Sequence, residues 1–492
     1  MSKRPTKSSS DQISDPSTPS KRQKFETNGV DEVQAEDNVL EFSPEKEIVP
    51  PNDNLYLDTI DRTMLDFDFE KLCSVSLSNL NVYACLVCGK YYQGRGQSSH
   101  AYFHSLHEDH HVYINLASLK VYILPDGYEV KSATLSDIKY VVNPTYSKEK
   151  VSRLDKQPIV AYDLTNKKYL PGFVGLNNIK QNDYLNVVIQ ALTRVTPLRN
   201  FCMLEDLSSR SELVQRFAVL IRKLWNPKSF KAHVSPHELL QEISATSNKK
   251  FKLTEQSDPL DFLAWFLNKI HIDLGGSRTK PGTSIIHKVF QGKVRMQTQT
   301  VKVLNEGDRA RFEGRQVTEQ IIPFLFLTLE LPPPPLFQDE MEKNIIPQVA
   351  LSTILQKYDG VTIQELSGQR KRFKISQLSP FLILHIKRFT KNNFFAEKNP
   401  TIVNFPIKNL DMGPYAEGTP ENQSTLYDLV ANITHESVTT PTGGEKHVFR
   451  VQVRDKSRDE WMQIQDLYVE EIRKEMIFLG ESYVQIWERQ KL

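Results

Sequence analysis

Two cysteines separated by a short knuckle, Cys85-Leu-Val-Cys88, are followed by His100, His104, His107, His110 and His111. A Cys-x2-Cys turn offers two thiolates from one side of a tight loop, and two later imidazoles complete a tetrahedral shell suited to structural zinc. The spacing Cys85-x2-Cys88-x15-His104-x5-His110 meets that requirement, and His100 and His104 lie one turn apart on any helix there. Spacing alone leaves open whether His100 or His107 replaces one of these histidines. The rival set Cys85, Cys88, His100 and His104 approaches the spacing of a DNA-reading ββα finger. Gly94 and Gly96 loosen that stretch, Ser98 stands where a core leucine belongs, and no tandem copy follows, so this alternative is set aside. With 4 cysteines in 492 residues there is no disulfide framework. The content suits a reducing compartment, where a close Cys pair more often holds metal.

At 492 residues the chain exceeds one ordinary core, and 39% hydrophobic with 25% charged residues can bury a substantial interior. Lys+Arg of 62 against Asp+Glu of 60 leaves a net charge of +2, which excludes coating nucleic acid by bulk charge. RNA contact is therefore expected to be local at most. No run approaches the roughly 18 apolar residues that span a bilayer, so neither a membrane segment nor a signal peptide is expected.

Residues 1–50 lack hydrophobic periodicity and read as a disordered tail. Its basic groups Lys3-Arg4 and Lys21-Arg22-Gln23-Lys24 look like nuclear-import runs, and a nuclear protein is expected. Residues 51–140 hold three of the four cysteines and form the metal-binding finger. A polar stretch, 141–167, reads as a linker. Residues 168–492 open with helix-period runs (DYLNVVIQALTRV, SDPLDFLAWFLNKIH) and continue with strand-like ones (FLILHIKRF, ESYVQIWER). Helices first and strands afterwards predict an α+β unit. The proline-rich run Glu330–Phe337 reads as a stiff connection between strands, with an extended ligand for a partner as the alternative.

The run CLVCGKYYQGRGQSSHAYFHSLHEDHH, with VYINLASLKVYILPDGYEV after it, resembles the zinc finger found in ubiquitin-specific proteases. That resemblance implies one zinc ion held by Cys85, Cys88, His104 and His110. Richer members hold further zincs, whose shells are broken here. Asn54, Tyr56, Lys120 and Ile123 occupy one, and the other keeps Cys73 and His100 but has Ser76 and Gln93. Many such fingers bind the free ubiquitin tail through an arginine and an aromatic cage. Arg95 matches the arginine, but Leu119 and Val121 stand at the cage positions, so ubiquitin binding is expected to be weak or absent.

The large section resembles the protease domain of the same family, which has a papain-like fold. Gly175–Leu192 is similar to its nucleophile box, Gln256-Ser-Asp258-Pro-Leu-Asp261-Phe262 to a helix motif, and Leu378–Phe389 to a strand motif. The resemblance places Asp183 at the nucleophile, Val448 at the histidine and Gln465 at the orienting aspartate. His447 falls one residue off, and strand side chains alternate faces. Cysteine-protease chemistry needs a thiolate, an imidazole and an orienting group, so no catalytic residue is assigned. Asn178 matches the oxyanion-hole asparagine, and Cys202, on a later helix, reads as packing.

The combination of finger and triad-less domain resembles a catalytically inactive branch of the family associated with the splicing machinery. It implies a nuclear, non-catalytic scaffold supporting assembly or integrity of the U4/U6.U5 tri-snRNP, with spliceosomal proteins as partners. Readings from other classes are a catalytically dead ubiquitin-binding adaptor and an active deubiquitinase.

Overall fold

A computed structural model describes residues 55–306, 309–333, 346–366, 369–391, 396–418, 420–439 and 445–491. The basic, tail-like residues 1–50 and the proline-rich run from residue 334 onward lie outside the described residues.

The finger is built on a five-stranded antiparallel sheet. Its strands, in spatial order, are Tyr91–Gln93, Val82–Cys85, Val112–Asn115, Val121–Ile123 and Tyr128–Val130. The period-two alternation of side chains divides these strands between two cores. Val82, Ala84, Val112 and Ile114 meet Leu135, Ile138 and Val142 at helix Ser136–Val142. Tyr83, Cys85 and Tyr113 point the other way and share a core with Ala101, from helix His100–His107. Gly89 turns the knuckle with φ +73°, where a Cβ would stand 2.2 Å from the Met64 carbonyl oxygen. Only glycine serves at that position.

The larger part carries its helices before its main sheet, the α+β order expected. Helix Asp183–Leu192 has all ten residues buried and packs against strand Glu445–Asp455. Around it lie helices Thr196–Leu204, Glu212–Leu224, His237–Thr246 and Pro259–Asp273. The last begins cleanly because Asp258 caps it, accepting from the Leu260 N–H at 2.7 Å and the Asp261 N–H at 3.2 Å, with Pro259 at its first position. The main sheet runs Leu327–Glu330, Phe381–Lys387, Ser482–Arg489, Leu426–Thr439, Glu445–Asp455, Glu460–Gln465 and Tyr468–Ile472, with Leu410–Asp411 beside Leu426. Only its first pair is parallel. A separate ribbon pairs Gly292–Glu306 with Arg309–Phe324 and with Gln369–Gln377.

Residues 52–492 form one compact unit, so the finger and the larger part share a seam. Lys223 reaches into the finger and donates to the Phe67 carbonyl and to Asp68 Oδ1, both at 2.8 Å. Asp68 Oδ2 accepts from the Ser235 N–H at 3.0 Å, and Lys231 pairs with Asp66. Phe230 of the larger part joins the finger's core. In the stretch between them, helix Lys148–Arg153 sends Val151 and the following Leu154 into the larger core. Among the described residues no helix is long and apolar enough to cross a membrane.

Candidate functional site

The strand Val82–Cys85 delivers Cys85 at its end, the knuckle turns back to Cys88, and helix His100–His107 lowers His104 over both. The ligand atoms of Cys85, Cys88, His104 and His110 lie within 4.8 Å of one another. Cys88 Sγ is 3.4 Å from His104 Nε2, which is 3.1 Å from His110 Nδ1. Zinc bonds of about 2.3 Å to sulfur and about 2.0 Å to nitrogen require tetrahedral edges of about 3.3–3.8 Å. The donor set and its spacing therefore suit one zinc ion. The hydrogen bond from the Cys85 thiol pulls the Cys88 thiol down to about 4, helped by His104 and His110, while Cys85 is pushed up by holding the shared proton. Tyr92 stacks on the His104 ring at 4.2 Å and orients it.

His107 is turned outward to Glu108 at 3.0 Å, and His111 is held by the Leu124 carbonyl at 2.7 Å and Asp109 at 2.8 Å. Neither belongs to the four-residue cluster, nor does His100. At the second family shell, hydrogen bonds join Cys73, Ser76 and Gln93. The Ser76 N–H meets Cys73 Sγ at 3.4 Å and the Ser76 hydroxyl donates to Gln93 Oε1 at 2.8 Å. Arg95 donates to the Gly127 carbonyl at 3.0 Å and lies 4.3 Å over the Tyr122 ring. Val121 is buried in the sheet and Leu119 packs against the finger's core.

In the larger part, Asp183 begins the central helix beneath strand Glu445–Asp455. Its Oδ2 accepts from Gln256 Nε2 at 2.7 Å and from the Phe449 N–H at 3.3 Å. Gln256 Nε2 also donates to the His447 carbonyl at 3.1 Å. Asp183 Oδ1 is buried without a hydrogen-bond partner, and burial raises the carboxyl above its ordinary value despite these two donors. Cross-strand register pairs Ser437 with His447 and Glu436 with Val448. The two side chains therefore lie on opposite sheet faces. Val448 is buried, whereas His447 is exposed, 3.3 Å from Ser437 Oγ, with its ring centre 5.1 Å from that of His435. Gln465 Oε1 accepts from Arg450 Nε at 2.8 Å, and Arg450 also pairs with Glu436 at 2.7 Å.

Asn178 gives its amide to Asp466 Oδ2 at 2.9 Å, and Asn186 donates to the other carboxylate oxygen at 2.8 Å. Asn182 links the same loop, accepting from the Ile179 N–H at 2.6 Å and donating to the Asn177 carbonyl at 3.1 Å and Asn186 Oδ1 at 3.0 Å. Strand Gly175–Leu176 passes so close beneath that a Cβ on Gly175 would stand 2.7 Å from Leu467 Cα. Cys202 is buried on helix Thr196–Leu204, where desolvation pushes its thiol up to about 12, away from any nucleophilic state. Reasoning from motifs overlooked Gln256 as the partner of Asp183, and overlooked Asn182 and Asn186. The i, i+4 spacing of Asn178, Asn182 and Asn186, leading into the helix Asp183–Leu192, was the available signal.

Family comparison matches residues 174–487 to the model for ubiquitin carboxyl-terminal hydrolase, and residues 73–135 to that for the Zn-finger in ubiquitin-hydrolases and other proteins. The chain is 54% identical over 479 residues to the Schizosaccharomyces pombe protein described as "Probable mRNA-splicing protein ubp10", covering 95% of each chain. It is 50% identical over 457 residues to human "Ubiquitin carboxyl-terminal hydrolase 39", covering 88% of this chain and 79% of that one. A crystal structure of an essential yeast splicing factor superposes with a TM-score of 0.72 at 31% identity, over 89% of this chain and 100% of that one. The α+β architecture is thus a zinc finger followed by the papain-like protease fold, and the chain belongs to the ubiquitin carboxyl-terminal hydrolase family.

Proposed function

We propose that this chain is a non-catalytic scaffold of the splicing machinery, supporting assembly or integrity of the U4/U6.U5 tri-snRNP in the nucleus. The observation that carries the reading is the hydrogen-bonded fate of Asp183. The family's nucleophile position is filled by a carboxylate bound to Gln256 and the Phe449 N–H. A carboxylate attacks amides poorly and leaves readily from the anhydride it would form, and its charge repels a developing oxyanion. Val448 at the histidine position has no proton to exchange, Gln465 at the orienting position is engaged by Arg450, and Asn178 is engaged by Asp466. Splicing itself enters through the names borne by relatives that match nearly the whole chain.

In this reading Cys85, Cys88, His104 and His110 hold the single zinc. The ion crosslinks knuckle, helix and following loop and takes no part in a reaction. The domains run 51–140 for the finger, 141–167 for the linker and 168–492 for the inactive protease-like part, after a tail of residues 1–50. The partners are spliceosomal proteins, with RNA contact local and ubiquitin binding weak or absent. Arg95 bonded within the finger and Val121 buried in its sheet support the last point. A nuclear extract depleted of the protein tests the function. Splicing of a model transcript is expected to fall and to be restored equally by the wild-type chain and by Asp183→Ala. Rescue by wild type alone, together with hydrolysis of a ubiquitin C-terminal fluorogenic substrate, contradicts the proposal.

A further inference from the structure

Away from the finger and the Asp183 cleft, two imidazoles stack where the ribbon joins the helices. The rings of His271, on helix Pro259–Asp273, and His287, on helix Ile285–Phe290, lie 3.5 Å apart between centres and 15° from parallel. His271 is buried and fixed at both nitrogens. Its Nε2 donates to the Ser277 carbonyl at 3.1 Å, and its Nδ1 meets the Ser284 hydroxyl at 2.7 Å. His287 is half-buried, and desolvation together with His271 holds its pKa below the ordinary 6.5, so it is a flat, uncharged ring at neutral pH. Both rings line a cleft of about 440 Å³. Phe324, ending the ribbon strand Arg309–Phe324, lines it too, with Asn268 from the first helix, Gln291 just past the second, and Arg278 from the loop between them.

Among the described residues no carboxylate belongs to this lining. Arg278 and Lys280, on the same loop, are exposed, and among the described residues neither pairs with an acidic group. The half-buried Gln291 amide likewise has no hydrogen-bond partner among them. Asn268 gives its Nδ2 to the Ala264 carbonyl at 2.8 Å and keeps its Oδ1 as an acceptor. A cleft of this size takes a nucleotide-sized group, since small-ligand sites run to about 300–1,000 Å³. Unpaired RNA bases are held by stacking on flat side chains, histidine and phenylalanine included, and by hydrogen bonds to their edges, while basic side chains meet the phosphates. His287 and Phe324 supply the first, Gln291 and Asn268 the second, and Arg278 with Lys280 the third. An aromatic side chain of a partner protein would use the rings and leave the amides and cations unmatched.

We infer that the cleft of His287 and Phe324 receives one unpaired base of a single-stranded RNA, with the strand's phosphates at Arg278 and Lys280. The choice of an RNA strand over a free nucleotide rests on the splicing reading. Fluorescence anisotropy on the full chain tests it at constant ionic strength. The probes are a labelled eight-nucleotide single strand of mixed sequence, the same strand annealed to its complement, and an abasic strand of equal length. The single strand is expected to bind about tenfold tighter than the other two. Gln291→Ala should weaken the base-bearing strand and leave the abasic one unchanged. Arg278→Ala should weaken both and lower the salt dependence by about one phosphate contact. If either variant fails to fold, the base-bearing against abasic comparison on wild type decides alone. Ultraviolet cross-linking is expected to attach the strand within residues 278–291 or at Phe324. Equal binding of the abasic strand or the duplex, variants that bind like wild type, cross-links confined elsewhere, or a mononucleotide displacing the strand at equal concentration would overturn the assignment. Absence of any binding would overturn it too; if U4, U5 and U6 RNAs still co-purified with the chain, the scaffold reading would stand without this site.

Discussion

Burial pushes the Asp183 carboxyl up, and the Gln256 amide and Phe449 N–H offset only part of the lost hydration. A raised folded-state value means that the native protein binds its proton more readily than the unfolded chain. Stability from this group is therefore greatest at acid pH and is lost as pH rises from the ordinary value, 3.8, through the raised one. Asp183→Asn is expected to stabilise the protein at pH 7 by about 1 kcal/mol, the scale of a net hydrogen-bond change. Chemical denaturation should show that advantage shrinking as pH falls towards 4; an advantage that grows on acidification contradicts the assigned environment. Asp183→Cys tests the chemistry. Its thiol would have an amide and a backbone N–H for neighbours and no general base. Hydrolysis of a ubiquitin C-terminal fluorogenic substrate is expected to stay at background, and a rate above wild type would mean that His447 reaches the cleft. The identity of residue 183 was legible from its motif. Its environment was not, because Gln256 and Phe449 approach from positions far along the chain that only the fold brings together.

At the scale of elements, the turn around Asp466 is a fastening. Asp466 sits at φ +52° and joins the strand Glu460–Gln465 to the loop and helix of Asn178 and Asn186. Asp466→Ala removes the carboxylate that accepts from the exposed Asn178 amide and the buried Asn186 amide. That leaves the latter only its longer bonds to the Leu176 and Asn177 carbonyls, and should cost about 1–3 kcal/mol of stability by denaturant melting. A change below 0.5 kcal/mol, ordinary for a surface site, would remove this role. The knuckle is the other fastening. Cys88→Ser is expected to reduce zinc from one ion per chain to none by elemental analysis and to abolish the ordered finger amides in hydrogen exchange. Retained metal would overturn the ligand set. Here the sequence was informative because a knuckle and its helix are local: strand end, turn and the helix that carries His104 follow one another in a single short stretch of chain. The choice of His110 over His107 and His100 depended on where helix His100–His107 ends and turns, which spacing could not settle.

Across the whole molecule, the finger is held to the larger part by a buried cation. Lys223 keeps its charge at the seam because Asp68 and Glu238 outweigh desolvation, and it also meets the Phe67 carbonyl. Lys223→Met strands Asp68 with only the Ser235 N–H, and should destabilise by about 3 kcal/mol, as breaking one side of a buried pair does. A scan that still shows one undisturbed transition contradicts this coupling. The α+β order and the two parts could be read from periodicity and motifs. The seam could not, since Asp66 and Asp68 look like ordinary surface acids until the fold sets Lys231 and Lys223 against them. A protease fold fastened around Asp466 and joined to a zinc finger through the ion pairs of the seam is suited to presenting surfaces, the work of a scaffold. The most direct test is affinity purification of the chain from nuclear extract at moderate salt, followed by probing of the co-purified RNA. Joint enrichment of U4, U5 and U6 RNAs is expected; recovery of ubiquitinated proteins without any of these RNAs would contradict the splicing role.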